Sequence, residues 1–357
     1  MSARVKTFSG TPAEHGYTFP PEWGPHAATW ISWPRPEGIS FPGSYHRAIV
    51  DVARVVGAIS RFEPVCLNVP NANYERIVKN TLRAAGTRLS KVRVFHIPTN
   101  ECWTRDHGPA FVQRTRRGVV QTAVVDWGFN AWGGKYPPWD ADDAVPTRVA
   151  AALGLPVFRN DLVMEGGAVD VNGEGTLLTT TSCLLHKNRN PGVSKAEIAR
   201  HLLAYYGQRH VVWLGEGIAG DDTDGHVDDL ARFIDARTIV TAVETDPTDA
   251  NYQVLLDNRR RLDRARDADG RPFTVIELPM PEAVVFEGQR LPATYVNFLF
   301  VNGGLLVPTF GDRVHDRQAL ARLQQALPGR GVVGVDCRAL IWGLGAIHCL
   351  TQQQPRG

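Results

Sequence analysis

The sequence predicts an α/β fold in which one β-hairpin unit recurs, with helices outside and the units set round a common axis. Two observations predict it. A pattern of strand, tight turn and strand returns roughly every 50–70 residues, the mark of a repeated supersecondary unit. Helical runs such as 194–206 and 313–326 lie between the copies. A third observation bears on domain count. No Ser- or Gly-rich linker interrupts the 357 residues, so 1–357 reads as a single domain.

The elements follow in order. Phe19-Pro-Pro-Glu-Trp-Gly-Pro-His26-Ala-Ala-Thr-Trp30-Ile-Ser-Trp33 reads as a loop leading into a short strand. Residues 44–61 carry Ile49, Val50, Ala53, Val56 and Ile59 at helical spacing. Val65-Cys-Leu-Asn-Val69 reads as a strand, 71–85 as a helix, and Val92-Arg-Val-Phe-His-Ile97 as another strand. A polar loop, Asn100-Glu-Cys-Trp103-Thr-Arg105-Asp106-His-Gly-Pro109, comes next. Four hairpins follow, starting at Ala110, Gly167, Ala231 and Asn297. Two of them turn at Asn172-Gly173 and Asn302-Gly303, the strongest short-range hairpin signal. The N-terminal strand and the strand opened by Cys349 complete a fifth unit.

Composition narrows the function. A formal net charge of +2, with no basic block, speaks against a nucleic-acid partner. No apolar run is long enough to span a bilayer, and the first residues lack the apolar core of a signal peptide. Five cysteines, an odd number without framework spacing, suit free thiols in a reducing cytoplasm. The absence of C-x-x-C speaks against a structural zinc site.

Four stretches carry candidate chemistry, and each precedes or opens a hairpin unit. Asp106 lies in the polar loop. Glu165 lies in Met164-Glu-Gly-Gly. His226 and Asp228 lie in Gly220-Asp-Asp-Thr-Asp-Gly-His-Val-Asp-Asp229. Cys349 follows the glycine-rich Gly343-Leu-Gly-Ala-Ile-His, whose glycines permit positive φ and close approach of a ligand. In an extended strand, side chains two apart share a face, so His226 and Asp228 are expected to face one pocket. Paired carboxylates recognise a planar guanidinium by forked hydrogen bonds. A held thiolate attacks its central carbon, and a histidine protonates the departing ammonia and then activates water. A further carboxylate orients the imidazole. Taken singly, Cys349 fits a core thiol, His226 a structural histidine, and the Asp-rich loop a solvated turn. Arg105 is expected to be structural. Trp30, Trp33, Trp127 and Trp132 fit either a core or a lid.

At these residues the sequence resembles the agmatine deiminase and Porphyromonas-type peptidylarginine deiminase family. The likeness also covers Pro21-Glu-Trp23-Gly-Pro-His26, Trp127-Gly-Phe-Asn-Ala-Trp132-Gly-Gly, Asn188-Arg-Asn-Pro191 and Ile347-His-Cys349-Leu-Thr-Gln-Gln. The resemblance implies a five-bladed, pseudo-symmetric α/β propeller, the pentein fold. It implies Cys349 as nucleophile, His226 as general acid and base, and Glu165 as the carboxylate that orients this histidine. Asp106 and Asp228 would grip the guanidinium, Asp222 would hold the far end of the substrate, and Trp103 would line the substrate site. It implies no metal and no organic cofactor, and a small guanidino compound as partner. The expected reaction is cytoplasmic hydrolysis of agmatine to N-carbamoylputrescine and ammonia. Arginine within a peptide is the alternative substrate. Amidine transfer, a zinc hydrolase and a non-catalytic binding scaffold are lesser readings. Oligomeric state is open, a homo-oligomer included.

Overall fold

The computed structural model describes residues 5–357. The fold is mixed α/β, and among the described residues one strand pattern occurs five times. Each copy is an antiparallel pair followed by a parallel third strand. Ala110–Arg116 pairs with Val119–Gly128, which takes Val157–Val163 in parallel. Val169–Val171, Thr176–Thr180 and His210–Leu214 repeat the arrangement. So do Ala231–Phe233, Thr238–Val243 and Thr274–Pro279, and then Leu299–Val301, Gly304–Thr309 and Gly331–Asp336. The fifth sheet joins the two ends of the chain. His26–Ser32 lies antiparallel to Thr351–Pro355 and parallel to Val65–Val69, with Val92–His96 beyond.

The four later hairpins stand where the sequence puts them. Their parallel third strands, from Val157–Val163 to Gly331–Asp336, are additions to the sequence reading. They are reached through helices, as parallel pairing requires. Lys195–Tyr206 begins with a capping box made by Ser194 and Glu197, and Arg313–Ala326 is capped by Asp312. Helix Tyr45–Ile59 buries Ala48, Val52, Val55, Val56 and Ile59. Val50, expected on that face, is 51% exposed, because the buried stripe is set by the neighbours at positions 48, 52 and 55.

Burial falls off across the sheets of the second, third and fourth hairpins. Val169–Val171, Ala231–Phe233 and Leu299–Val301 are buried at every residue. Thr274–Pro279 and Gly331–Asp336 are mostly half-buried or exposed. The short first strands of the second, third and fourth hairpins therefore lie in the interior, as does the start of Ala110–Arg116, and what precedes each is largely interior as well.

The two Asn-Gly turns do more than reverse the chain. Asn172 Nδ2 donates to the carbonyl of Ala236 at 2.8 Å, in the turn of the next hairpin. Asn302 clamps the backbone of His26: its Oδ1 accepts from the N–H at 2.9 Å, and its Nδ2 donates to the carbonyl at 2.9 Å. This clamp ties the fourth hairpin to the N-terminal strand. Replacing Asn302 by Ala leaves both His26 groups without that partner. The expected cost is about 2 kcal/mol of unfolding free energy, read as a lower urea midpoint with an unchanged slope. An unchanged midpoint would show that water replaces the clamp at no cost.

Candidate active site

Each unit delivers its polar group from a short turn just before its buried strand. Asp106 sits in the single helical turn Thr104–His107, ahead of Ala110–Arg116. Glu165 precedes the turn Gly166–Ala168, which leads into Val169–Val171. His226 and Asp228 flank Val227 at the tight turn Val227–Asp229, before Ala231–Phe233. Asn297 comes two residues before Leu299–Val301. Cys349 lies in the single turn Ile347–Leu350, before Thr351–Pro355.

Three sequence expectations need correction here. Cys349 does not open a strand; the strand begins at Thr351. His226 and Asp228 do not share a face of an extended strand, because a 3₁₀ turn starts at Val227. They still converge, with His226 Nδ1 3.9 Å from Asp228 Oδ1, because the turn folds the two side chains back together. The glycines before Cys349 do not carry the positive φ. That falls on Leu344, at 67°. Gly343 and Gly345 serve packing instead. A Cβ on Gly343 would meet Trp103 Cζ2 at 2.7 Å, and one on Gly345 would meet Trp103 Cζ3 at 2.7 Å.

The groups form one buried cluster. His226 Nε2 is 3.2 Å from Glu165 Oε2, and its Nδ1 is 3.6 Å from Asp106 Oδ1. Glu165 Oε1 accepts from Arg189 Nε at 2.8 Å. Asp106 Oδ2 accepts from Trp132 Nε1 at 2.9 Å, and its Oδ1 from the Gly167 N–H at 3.0 Å. Asn297 Nδ2 points at three acceptors: Cys349 Sγ at 3.1 Å, Asp229 Oδ1 at 2.9 Å and Asp228 Oδ2 at 3.3 Å. Cys349 Sγ is 3.7 Å from Asp228 Oδ2. Within this cluster two buried polar atoms have no hydrogen-bond partner: His226 Nδ1 and Asp228 Oδ1. Unpaired polar atoms of this kind mark a place where a partner is missing.

A cavity of about 240 Å³ opens onto this cluster. Cys349, Asp106, Trp103, Trp132, Tyr136 and Asp222 are among the residues that line it. Trp103 Nε1 donates to Ser40 Oγ at 2.9 Å, which fixes the ring as a wall. Asp222 reaches the cavity with partners already in place. Lys135 Nζ is 3.3 Å from its Oδ1, and the Tyr136 hydroxyl donates to its Oδ2.

The electrostatics follow from burial and neighbours. Burial alone would lower the His226 pKa, but Asp106, Cys183 and Glu165 overcome it and hold the imidazole well above its usual value. Glu165 is down at about 2, because Arg189 and His226 outweigh its burial. Burial pushes Asp106 up to about 6, with Asp228 and Glu165 adding to the rise. Burial, then Asp228, Asp229 and Asp106, raise Cys349 well above a free thiol. These surroundings favour the neutral form of the Cys349 thiol and the charged form of the His226 imidazole.

The chain matches the family model for Porphyromonas-type peptidyl-arginine deiminase over residues 18–355. It belongs to that family. An agmatine deiminase of Pseudomonas aeruginosa is 39% identical over 97% of this chain and 98% of its own. One of Medicago truncatula is 38% identical over the same shares. The solved agmatine deiminase of Enterococcus faecalis superposes with a TM-score of 0.88 at 33% identity, covering 99% of this chain and 100% of its own.

Within this family member the sequence reading missed Asn297 and Arg189 beside these groups; Trp132, read as core or lid, is buried and lines the cavity. Trp30, Trp33 and Trp127 are buried in the core. Arg105 is structural as expected, bonded to Gln353 Oε1 at 2.8 Å and Glu22 Oε2 at 3.3 Å. Among the described residues, three clusters have metal-ligand chemistry and close ligand atoms; Glu282 with Asp312 and His315 lies away from the site, while Glu165 with Cys183 and His226, and Asp228 with Asp229 and Cys349, belong to it. Arg189 already engages the Glu165 cluster, and Asn297 the Asp228 cluster.

Gly167 decides whether the cluster can close. A Cβ there would lie 2.6 Å from His226 Nδ1, 2.8 Å from Asp106 Oδ1 and 3.1 Å from Asp228 Oδ2. The Gly167→Ala protein is expected to fold, by circular dichroism, and to lose activity by at least roughly a hundredfold. Full activity in that variant would show that the three groups need not meet as they do here.

Proposed function

We propose that this protein is an agmatine deiminase, which hydrolyses agmatine to N-carbamoylputrescine and ammonia. The observation that carries the reading is the meeting of a thiol, a charged imidazole and two carboxylates at two unpartnered polar atoms. That arrangement complements a planar cation whose central carbon faces sulfur. Asp106 and Asp228 grip the guanidinium. Its positive charge offsets the buried carboxylates and favours loss of the Cys349 proton to solvent.

The thiolate then forms an S–C bond to the guanidinium carbon. His226, already protonated, gives its proton to one nitrogen as the C–N bond breaks, and ammonia leaves. An amidino-cysteine remains. Neutral His226 takes a proton from water as the water oxygen bonds to the same carbon. Collapse forms the C=O bond as the S–C bond breaks, gives the hydroxyl proton to solvent, returns the thiolate and frees the ureido product. Glu165, pinned by Arg189, holds the imidazole in line through both halves. Asp222 also lines the cavity. There the distal ammonium of agmatine would share a carboxylate with Lys135. The five sheets act as five blades of one catalytic domain, each contributing to the centre. The five cysteines, free of disulfides, support a reducing compartment such as the cytoplasm.

Ammonia release tests this directly. Agmatine, free arginine, a peptide ending in arginine and a methylated arginine are offered to the wild-type protein and to Cys349→Ala. Release is expected from agmatine, and abolished in the variant. Turnover of the peptide without agmatine would move the substrate to peptidyl arginine. Full activity in Cys349→Ala would remove the mechanism.

The pH profile is a separate test. Asp106 has a folded-state pKa raised to about 6, so it takes a proton as pH falls through that value and loses its hold on the cation. kcat/KM, which reports the free enzyme, is expected to fall on the acid side near that pH. An acid limb far below it would remove Asp106 from the role.

A further inference from the structure

Glu22 and His348 stand in two of the motifs that carry the family resemblance, and the reaction above uses neither. Both are buried, at 3% and 2% exposure. His348 precedes the nucleophile in the chain. Its Nδ1 lies 2.6 Å from Asp228 Oδ2 and its Nε2 lies 2.8 Å from Glu22 Oε2. A ring with hydrogen on both nitrogens donates to both carboxylates at once. Glu22 is itself immobilised. Arg232 Nη2 donates to its Oε2 at 2.8 Å, Arg105 Nη2 donates to the same oxygen at 3.3 Å, and the Phe300 N–H donates to its Oε1 at 2.9 Å. The His348 backbone N–H is fixed too, by Asn297 Oδ1 at 3.0 Å. The imidazole is thus a rigid strut between an anchored carboxylate and a site carboxylate.

The strut acts on one oxygen of Asp228 only. Oδ2 receives His348 and, more weakly, Asn297 and the Cys349 thiol; Oδ1 is left unpartnered beside His226 Nδ1. A carboxylate held by one oxygen in a short, charge-assisted bond has its plane set and its other oxygen presented. We propose that His348, braced by Glu22, is a positioning residue that fixes Asp228 so that Oδ1 meets the substrate guanidinium. Glu22, in the Pro21-Glu-Trp-Gly-Pro-His26 stretch, thereby reaches the reaction through one intervening ring. This rests on the assignment of Asp228 to the guanidinium.

The test is a double-mutant cycle on binding. Agmatine affinity is measured by calorimetry in Cys349→Ala protein, where no turnover intervenes. His348→Gln is expected to weaken binding about tenfold, the loss of one charge-assisted bond. Asp228→Asn should weaken it at least as much. Because His348 acts through Asp228, adding His348→Gln to Asp228→Asn should cost nothing further. Glu22→Gln should weaken binding in the same direction, and likewise add nothing to Asp228→Asn. If His348→Gln does not fold, the Glu22 pair carries the cycle. Unchanged affinity in His348→Gln, or losses that multiply in the double variant, would overturn the role. Failure of the wild-type protein to turn over any guanidine would bring down the functional reading instead, and the two failures are distinct.

Discussion

Negative charge buried around one thiol is the constraint on which the site depends. Glu22, Asp106, Glu165, Asp228 and Asp229 are all at least nine-tenths buried. An unpaired carboxylate in that environment costs several kcal/mol, so each must find a cation or keep its proton. Glu165 has Arg189 and His226. Glu22 has Arg232, Arg105 and His348, and Asp228 shares that same imidazole. Asp229 has no such partner and Asp106 has only His226, at 3.6 Å, so burial raises both. The cluster is therefore short of positive charge at the wall nearest Cys349. A guanidinium makes up that shortage on the proposed reading, and the same cation is what allows the thiol to ionise. Substrate binding and nucleophile activation become one electrostatic event.

Much of this was legible in the sequence, because strong local signals fixed the hairpins. The Asn172-Gly173 and Asn302-Gly303 turns dictate a conformation without help from distant residues. The third strands were not legible by the same means. Gly331–Asp336 and Thr274–Pro279 are short and half-exposed, and they exist because a neighbouring strand pairs with them. That is a tertiary cause, invisible to a local pattern.

The site residues divide in the same way. Cys349, His226, Glu165, Asp106 and Asp228 lie where chemistry-bearing side chains open a unit. Asn297 obeys the same positional rule, at the head of the fourth hairpin, yet an uncharged amide drew no attention. The rule of place was the stronger signal, since the structure gives all five units a polar group at that point. Gly167 was harder still. Its contribution is an absence: no side chain stands where His226, Asp106 and Asp228 crowd together. Sequence shows a glycine there, and only packing shows what an alanine would displace.

The same logic explains why residues with no chemistry of their own matter so much. Contributions from five separate units can be aligned within tenths of an ångström only if the units are held to one another. The buried bonds that do this are polar, and they cross between units. Asn302 grips His26. Arg232, on the first strand of the third hairpin, joins Glu22 to Asp170 and donates to the Phe298 carbonyl at 3.1 Å. Apolar packing is tolerant of small slides, whereas a charge-assisted bond is directional and loses most of its value when misaligned. Directional bonds between units thus set the register of the groups around Cys349, and the apolar core supplies the stability against which that register is held.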